Sequence, residues 1–135
     1  MSGEIIMVGG KRKTAIAKVK IGEGSGRVFY NRLPYETLPL FHRLALHEPL
    51  VIAKETLGNS LFDIDISTQG GGKEGQIQAA RLGIAKALVA FTKSQDLKKA
   101  FLKYDRNLLV ADIRRKEPYK PGDSKARAKR QKSYR

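Results

Sequence analysis

Residues 14–21, TAIAKVKI, alternate strictly: Ala15, Ala17, Val19 and Ile21 point one way, and Thr14, Ile16, Lys18 and Lys20 the other. A period of two belongs to a β-strand, because successive side chains leave opposite faces of the pleat. Here one face is apolar and the other carries lysines. Such a strand belongs in a sheet covered on one side and open to water on the other. That requirement points to two layers, a sheet with helices packed on a single face.

The flanking sequence supplies the rest of the expected order. EIIMV (4–8) reads as a first short strand and GGKRK (9–13) as a basic turn. A glycine-rich GEGSG then leads into RVFYN, so 14–31 is expected to form a hairpin. In the middle, Pro49 suits the first position of a helix whose apolar run, Leu50 to Leu57, ends at Gly58 or Asn59. SLFDIDIST alternates again, with Phe62, Ile64 and Ile66 opposite Leu61, Asp63 and Asp65. The longest helical pattern is QIQAARLGIAKALVAFTK, whose stripe of Ile77, Ala80, Ile84, Leu88 and Phe91 should face the sheet. A second helix follows, capped by Ser94, and NLLVAD reads as a short last strand. The expected fold is a two-layer α/β sandwich over residues 1–113, with no internal repeat.

After Asp112 the hydrophobic pattern stops and charge takes over. The chain has 27 basic and 13 acidic residues, a net of +14. Residues 114–135 hold ten basic and two acidic residues, so +8 of that charge lies in 22 positions. This arm cannot bury enough apolar surface to offset its own ordering, and Pro118, Pro121 and Gly122 favour an extended path. Fully extended it reaches roughly 70 Å. A polyanion is the natural partner of such a chain, and nucleic acid is the commonest one. There is no cysteine, so disulfides and thiolate metal sites are excluded. No apolar run is long enough to cross a bilayer, and the acid-containing start does not resemble a secretory signal. The expectation is a cytoplasmic protein with no cofactor and no membrane partner.

Catalysis has little to rest on. His42 and His47 are five residues apart and share no helical face, and no nucleophile-base arrangement accompanies them. GGGKEG (70–75) matches G-x-G-x-x-G between a strand and a helix. Against a dinucleotide loop stand the alternating, aspartate-bearing strand before it and the lack of an acid-ended strand about twenty residues on. Two readings stay open: a loop whose backbone amides meet RNA phosphate, and a plain tight turn. The candidate RNA-binding residues are therefore Lys11, Arg12 and Lys13 beside the outer lysines Lys18 and Lys20, with Gly71, Gly72 and Lys73 in the loop. Arg106 follows, and along the arm come Arg114, Arg115, Lys116, Lys120, Lys125, Arg127, Lys129 and Arg130. Tyr119 and Tyr134 are the aromatics an unpaired base would stack on. Two rival classes stay open beside RNA binding, a DNA-binding architectural protein and a small nucleotide-dependent enzyme.

GKRKTAIAKV, GGGKEGQIQAARLGIAKAL and YDRNLLVAD, in that order and followed by a basic tail, resemble the small-subunit ribosomal protein S-nine family. The ending KRQKSYR resembles its archaeal and eukaryotic branch. The resemblance implies a fold like the second domain of ribosomal protein S-five, with a left-handed βαβ unit, and no enzymatic activity. It implies a structural place in the head of the small subunit, on ribosomal RNA and beside other head proteins. It also implies that the tail reaches peptidyl-site tRNA through Lys132, Tyr134 and Arg135. Bacterial members usually have Lys where this chain has Tyr134, so a phosphate contact there is replaced by an open role for the phenol ring.

Overall fold

The computed structural model describes residues 4–58, 61–111 and 113–114. Five strands form one sheet: β1 (Ile5–Arg12), β2 (Ala15–Glu23), β3 (Val28–Tyr30), β4 (Leu33–Pro34) and β5 (Phe62–Gln69), in the order β1-β2-β5-β3-β4. Neighbours run antiparallel except β3 and β5, which are parallel. Among the described residues there are three α-helices: α1 (Leu40–Leu57), α2 (Lys73–Thr92) and α3 (Gln95–Tyr104). Short 3-10 turns lie at Tyr35–Thr37 and Arg106–Leu108.

The alternation in β2 does what its pattern demands. Ala15, Ala17, Val19 and Ile21 are buried, as are Ile64 and Ile66 of β5, while Ile16, Lys18 and Lys20 are exposed. The helices cover the apolar face, and the stripe of α2 meets it: Ile77, Ala80, Ile84 and Leu88 are buried, with Phe91 packed at the margin against Phe62. This is the two-layer α/β sandwich expected from sequence. Ser94 caps α3 as expected, its Oγ accepting from the Leu97 amide at 3.2 Å.

Four local expectations are overturned. Residues 14–31 are no hairpin. β2 pairs with β1, closing at Lys13–Thr14, and β5 is inserted between β2 and β3. The glycine-rich segment after β2 is a link that lets the chain leave its neighbour, not a tight turn joining partners. It is held by Asp63, whose carboxylate accepts the amides of Ser25 (3.0 Å) and Arg27 (3.1 Å). The Arg27 amide does most to hold that carboxyl below its ordinary pKa, with partial desolvation opposing it. The strand expected to stop before GGKRK continues to Arg12. Pro49 lies inside α1, not at its start, because the helix begins at Leu40 directly after Pro39. Pro49 has no N–H for the Ala45 carbonyl, yet its ring is buried in the core, where packing offsets that loss. Asn107 and Leu108, the start of NLLVAD, lie in the 3-10 turn Arg106–Leu108, residues 109–111 form no strand, and Leu108 is the residue the turn buries. Asp112 and the arm from Arg115 onward lie outside the described residues.

α2 approaches the β1–β2 pair closely because two glycines meet. A Cβ on Gly10 would lie 2.1 Å from the Ala79 carbonyl oxygen and 2.7 Å from the Gly83 amide nitrogen. A Cβ on Gly83 would lie 2.6 Å from a Val19 methyl. Backbone cannot yield as a flexible side chain can, so Gly10→Ala is expected to cost about 1–3 kcal/mol. A Cβ on its neighbour Gly9 would lie 3.9 Å from the Ala17 carbonyl oxygen, an ordinary contact, and Gly9→Ala is expected to leave the thermal midpoint nearly unmoved. Equal midpoints for the two variants in circular-dichroism melts would contradict this packing.

Candidate nucleic-acid interface

The register brings three connections to one end of the sheet. β1 and β2 turn there at Lys13–Thr14, β3 and β4 turn at Asn31–Arg32, and β5 passes through Gly70–Gly72 into α2. Each is locally determined. Lys13 adopts a positive φ of 53°, and Asn31 and Arg32 share φ values of 51° and 70°, the pattern of a two-residue hairpin turn. Asn31 pins that turn to β5: its Oδ1 accepts the Thr68 amide and its Nδ2 donates to the Thr68 hydroxyl, both at 2.9 Å. In the glycine loop, Gly70 and Gly71 have φ of 76° and 63°. A Cβ on Gly70 would lie 2.6 Å from the Thr14 carbonyl oxygen, and one on Gly71 2.9 Å from the Ala15 Cβ. The loop is thus pressed on the β1–β2 turn in a conformation few side chains tolerate.

Between the β1–β2 turn and the glycine loop lies a shallow recess of about 310 Å³, lined by Arg12, Lys13, Thr14, Ala15, Gly71, Gly72, Glu74, Gly75 and Gln78. α2 starts on its floor. Gly72 is the N-cap, and among the described residues no side chain caps the first helical amides. Those amides and the helix dipole make a place favourable to negative charge, with Lys13 and Lys73 exposed beside it. Of the GGGKEG match, only Gly70–Gly72 form the loop; Gly75 is already helical. Gln76 steadies the loop by donating to the Gly70 carbonyl at 3.0 Å.

A second, smaller recess of about 110 Å³ shares Arg12 and Gln78 with the first and reaches Lys11, Arg81, Asp105 and Asn107. It carries the basic surface from the turn toward the 3-10 turn where Arg106 is exposed. Lys18 and Lys20 are not gathered at this end. They stand along the open face of the sheet, Lys18 opposite Ser67 and Lys20 opposite Asp65. That face is therefore mixed in charge. Arg114 is exposed near the end of the described residues. Sequence reasoning missed Arg32, which stands exposed at the loop end. The signal was present as an Asn-Arg pair between two short extended runs, but β3 and β4 span only three and two residues.

Not every cation here faces outward. Arg81 has a side chain only 11% exposed. Its guanidinium donates to Glu48 at 2.6 and 3.0 Å and reaches Asp105 at 3.4 Å, joining α2 to α1 and to the last 3-10 turn. The histidines also serve the scaffold: His42 Nε2 lies 2.7 Å from Glu74, and His47 Nδ1 is 3.1 Å from the Tyr35 hydroxyl. Burial raises the pKa of Tyr30 and Tyr35, so both phenols stay protonated at neutral pH. Among the described residues no cluster of His, Asp or Glu could hold a metal, and no helix is long and apolar enough to cross a membrane.

Such a surface defines a class: a small basic α/β domain with a cationic loop end and no catalytic constellation among its described residues. Comparison with known proteins narrows the class. The profile of the family described as ribosomal protein S9/S16 matches residues 10–135. A protein of Methanococcus maripaludis named small ribosomal subunit protein uS9 is 47% identical over 135 residues, covering 98% of this chain and 99% of that one. The protein of the same name from Methanococcus vannielii is 45% identical over the same span. The chain belongs to the ribosomal protein S9/S16 family, whose members are structural and non-enzymatic.

Arg81→Met removes a clamp and leaves two half-buried carboxylates short of their cation. It is expected to lower unfolding free energy by about 1–3 kcal/mol, less than a fully buried pair would lose because Glu48 and Asp105 are partly hydrated. RNA affinity of the folded fraction should be unchanged. A urea midpoint equal to the parent's would refute the structural role.

Proposed function

We propose that this chain is a structural constituent of the small ribosomal subunit head, working in the cytoplasm as part of the ribosome. In this reading it binds ribosomal RNA through its loop end and basic outer strand, and its C-terminal arm reaches peptidyl-site tRNA. The observation that carries the RNA contact is the Gly70–Gly72 loop pressed on the Lys13–Thr14 turn at the start of α2, with the Asn31–Arg32 turn at the same end of the sheet. Family membership supports the particle; the geometry supports the face.

The mechanism is neutralisation and positioning. Lys11, Arg12, Lys13, Arg32 and Lys73 meet phosphates at the loop end, with Lys18 and Lys20 along the open face and Arg106 and Arg114 toward the arm. Backbone amides of Gly72 and the first α2 residues donate to a phosphate oxygen, a contact that fixes place and carries no base specificity. The arm extends this away from the domain. Arg115, Lys116, Lys120, Lys125, Arg127, Lys129 and Arg130 follow ribosomal RNA, and Lys132, Tyr134 and Arg135 end at the tRNA backbone. All ten arm residues just named lie outside the described residues.

Two outcomes test this reading. Lys13→Ala and Lys73→Ala should each lower the slope of log affinity against log salt, measured on a head-domain ribosomal RNA fragment, by about one unit. Unchanged slopes would remove the loop end from the interface. Removal of residues 124–135 should leave the melting transition of the domain intact and weaken tRNA retention in the peptidyl site of reconstituted subunits. A lost melting transition, or full tRNA retention, would contradict the division of labour between domain and arm.

A further inference from the structure

Beside α1 the core is not closed. α1 packs on α2 and α3, and between its flank and strands β3 and β5 runs a groove of about 670 Å³ open to solvent. Buried Val28, Ala53, Ile64 and Leu88 form its floor. Leu50, Val51, Phe62 and Leu61 form the lips, and Leu61 is 59% exposed. Toward one wall the Tyr35 hydroxyl and His47 Nδ1 satisfy each other at 3.1 Å, with their rings stacked 6.3 Å apart. The groove is thus apolar, with few polar groups left to orient a small ligand.

Its rim has the opposite sign to the rest of the protein. Residues 33–58 hold three acidic and two basic residues, a net of −1; the other 109 residues hold 25 basic and ten acidic, a net of +15. Glu48 is occupied by Arg81, so the charged residues lining the groove are the acids Glu36 and Glu55 and the base Lys54, all exposed, two negative charges against one positive. Phosphate is disfavoured at such a rim and Lys or Arg is favoured. Apolar side chains also stand exposed beyond the groove. Leu40, Leu44 and Val51 share one side of α1 at helical spacing, with His47 between the last two, and the two leucines are exposed. Exposed apolar residues grouped beside an apolar groove mark a protein contact, where scattered single residues do not.

We propose that this groove docks a basic polypeptide segment of another small-subunit protein, seating bulky apolar side chains between α1 and β5 while its Lys or Arg side chains meet Glu36 and Glu55. The inference rests on the reading that the chain works inside the small subunit. It adds where a protein neighbour binds and by what chemistry. The apolar anchors supply most of the affinity, and the rim charges select a basic partner over RNA.

The test uses the full chain with Val51 replaced by the photo-crosslinker p-benzoylphenylalanine, expressed in cells and read in purified small subunits. Sedimentation comes first: a chain absent from small subunits overturns the ribosomal reading and this inference with it. For a chain that sediments with them, the expected product is a crosslink to a net-basic peptide of a different small-subunit protein, identified by mass spectrometry. Combining Glu36→Lys with Glu55→Lys should lower that crosslink at least fivefold while sedimentation is retained. If the charge reversal lowers the melting midpoint, Glu36→Gln with Glu55→Gln gives the same readout without reversal, with the yield again expected to fall. A crosslink to RNA, yields no higher than from the same probe at exposed Lys98, or yields indifferent to the rim charges would overturn the docking site and leave the ribosomal reading standing.

Discussion

The molecule is organised by the contact of Gly10 with Ala79 and Gly83 beneath Val19. Because neither glycine has a Cβ, backbone of β1 and backbone of α2 touch, and α2 lies directly on the β1–β2 pair. That placement sets where α2 begins. Its first turn falls against the Lys13–Thr14 turn, and the chain coming from β5 must bridge the remaining gap in the tight Gly70–Gly72 loop. The recess at the loop end is therefore a consequence of core packing. Filling the glycine contact would displace the helix start before it altered any surface charge.

Charge follows the same geometry. Cations gather where loops converge at the start of α2, and a mixed row of Lys18, Lys20, Asp65 and Ser67 occupies the open sheet face. Glu36 and Glu55 stand at the groove beside α1, with Lys54 among them. A +14 chain is thus not uniformly basic: one of its most buried cations, Arg81, ties three elements together, and Asp63 holds the link after β2 by accepting two amides. Separating structural from surface charge requires knowing which carboxylate each cation meets. Composition alone does not contain that information.

Local patterns were legible in proportion to how local their cause is. The alternation of Ala15 to Ile21, the stripe from Ile77 to Leu88 and the Ser94 cap each arise from neighbours within a few residues, and each is realised. Pairing partners are set at longer range. β5 intrudes between β2 and β3 because Ile64 and Ile66 complete the apolar face, and nothing in 14–31 announces that its neighbour lies more than thirty residues later. Pro49 misled for a related reason: its start signal is real in isolation, but Pro39 supplies a start ten residues earlier and tertiary burial accommodates the later ring. At the site, Lys11–Lys13 and the glycine loop were legible as basic and glycine-rich runs, whereas their proximity to Arg32 depends on parallel pairing of β3 with β5.

The central claim is that the loop end faces ribosomal RNA while the α1 flank faces away from it. Because the chain has no cysteine, a single one can be placed at will and loaded with an iron chelate that cleaves nearby RNA. Lys13→Cys and Lys54→Cys, each assembled into small subunits, compare the two sides directly. Strong, localised cleavage of ribosomal RNA from position 13 and weak cleavage from position 54 is the expected result; equal cleavage from both, or stronger cleavage from position 54, would contradict the account.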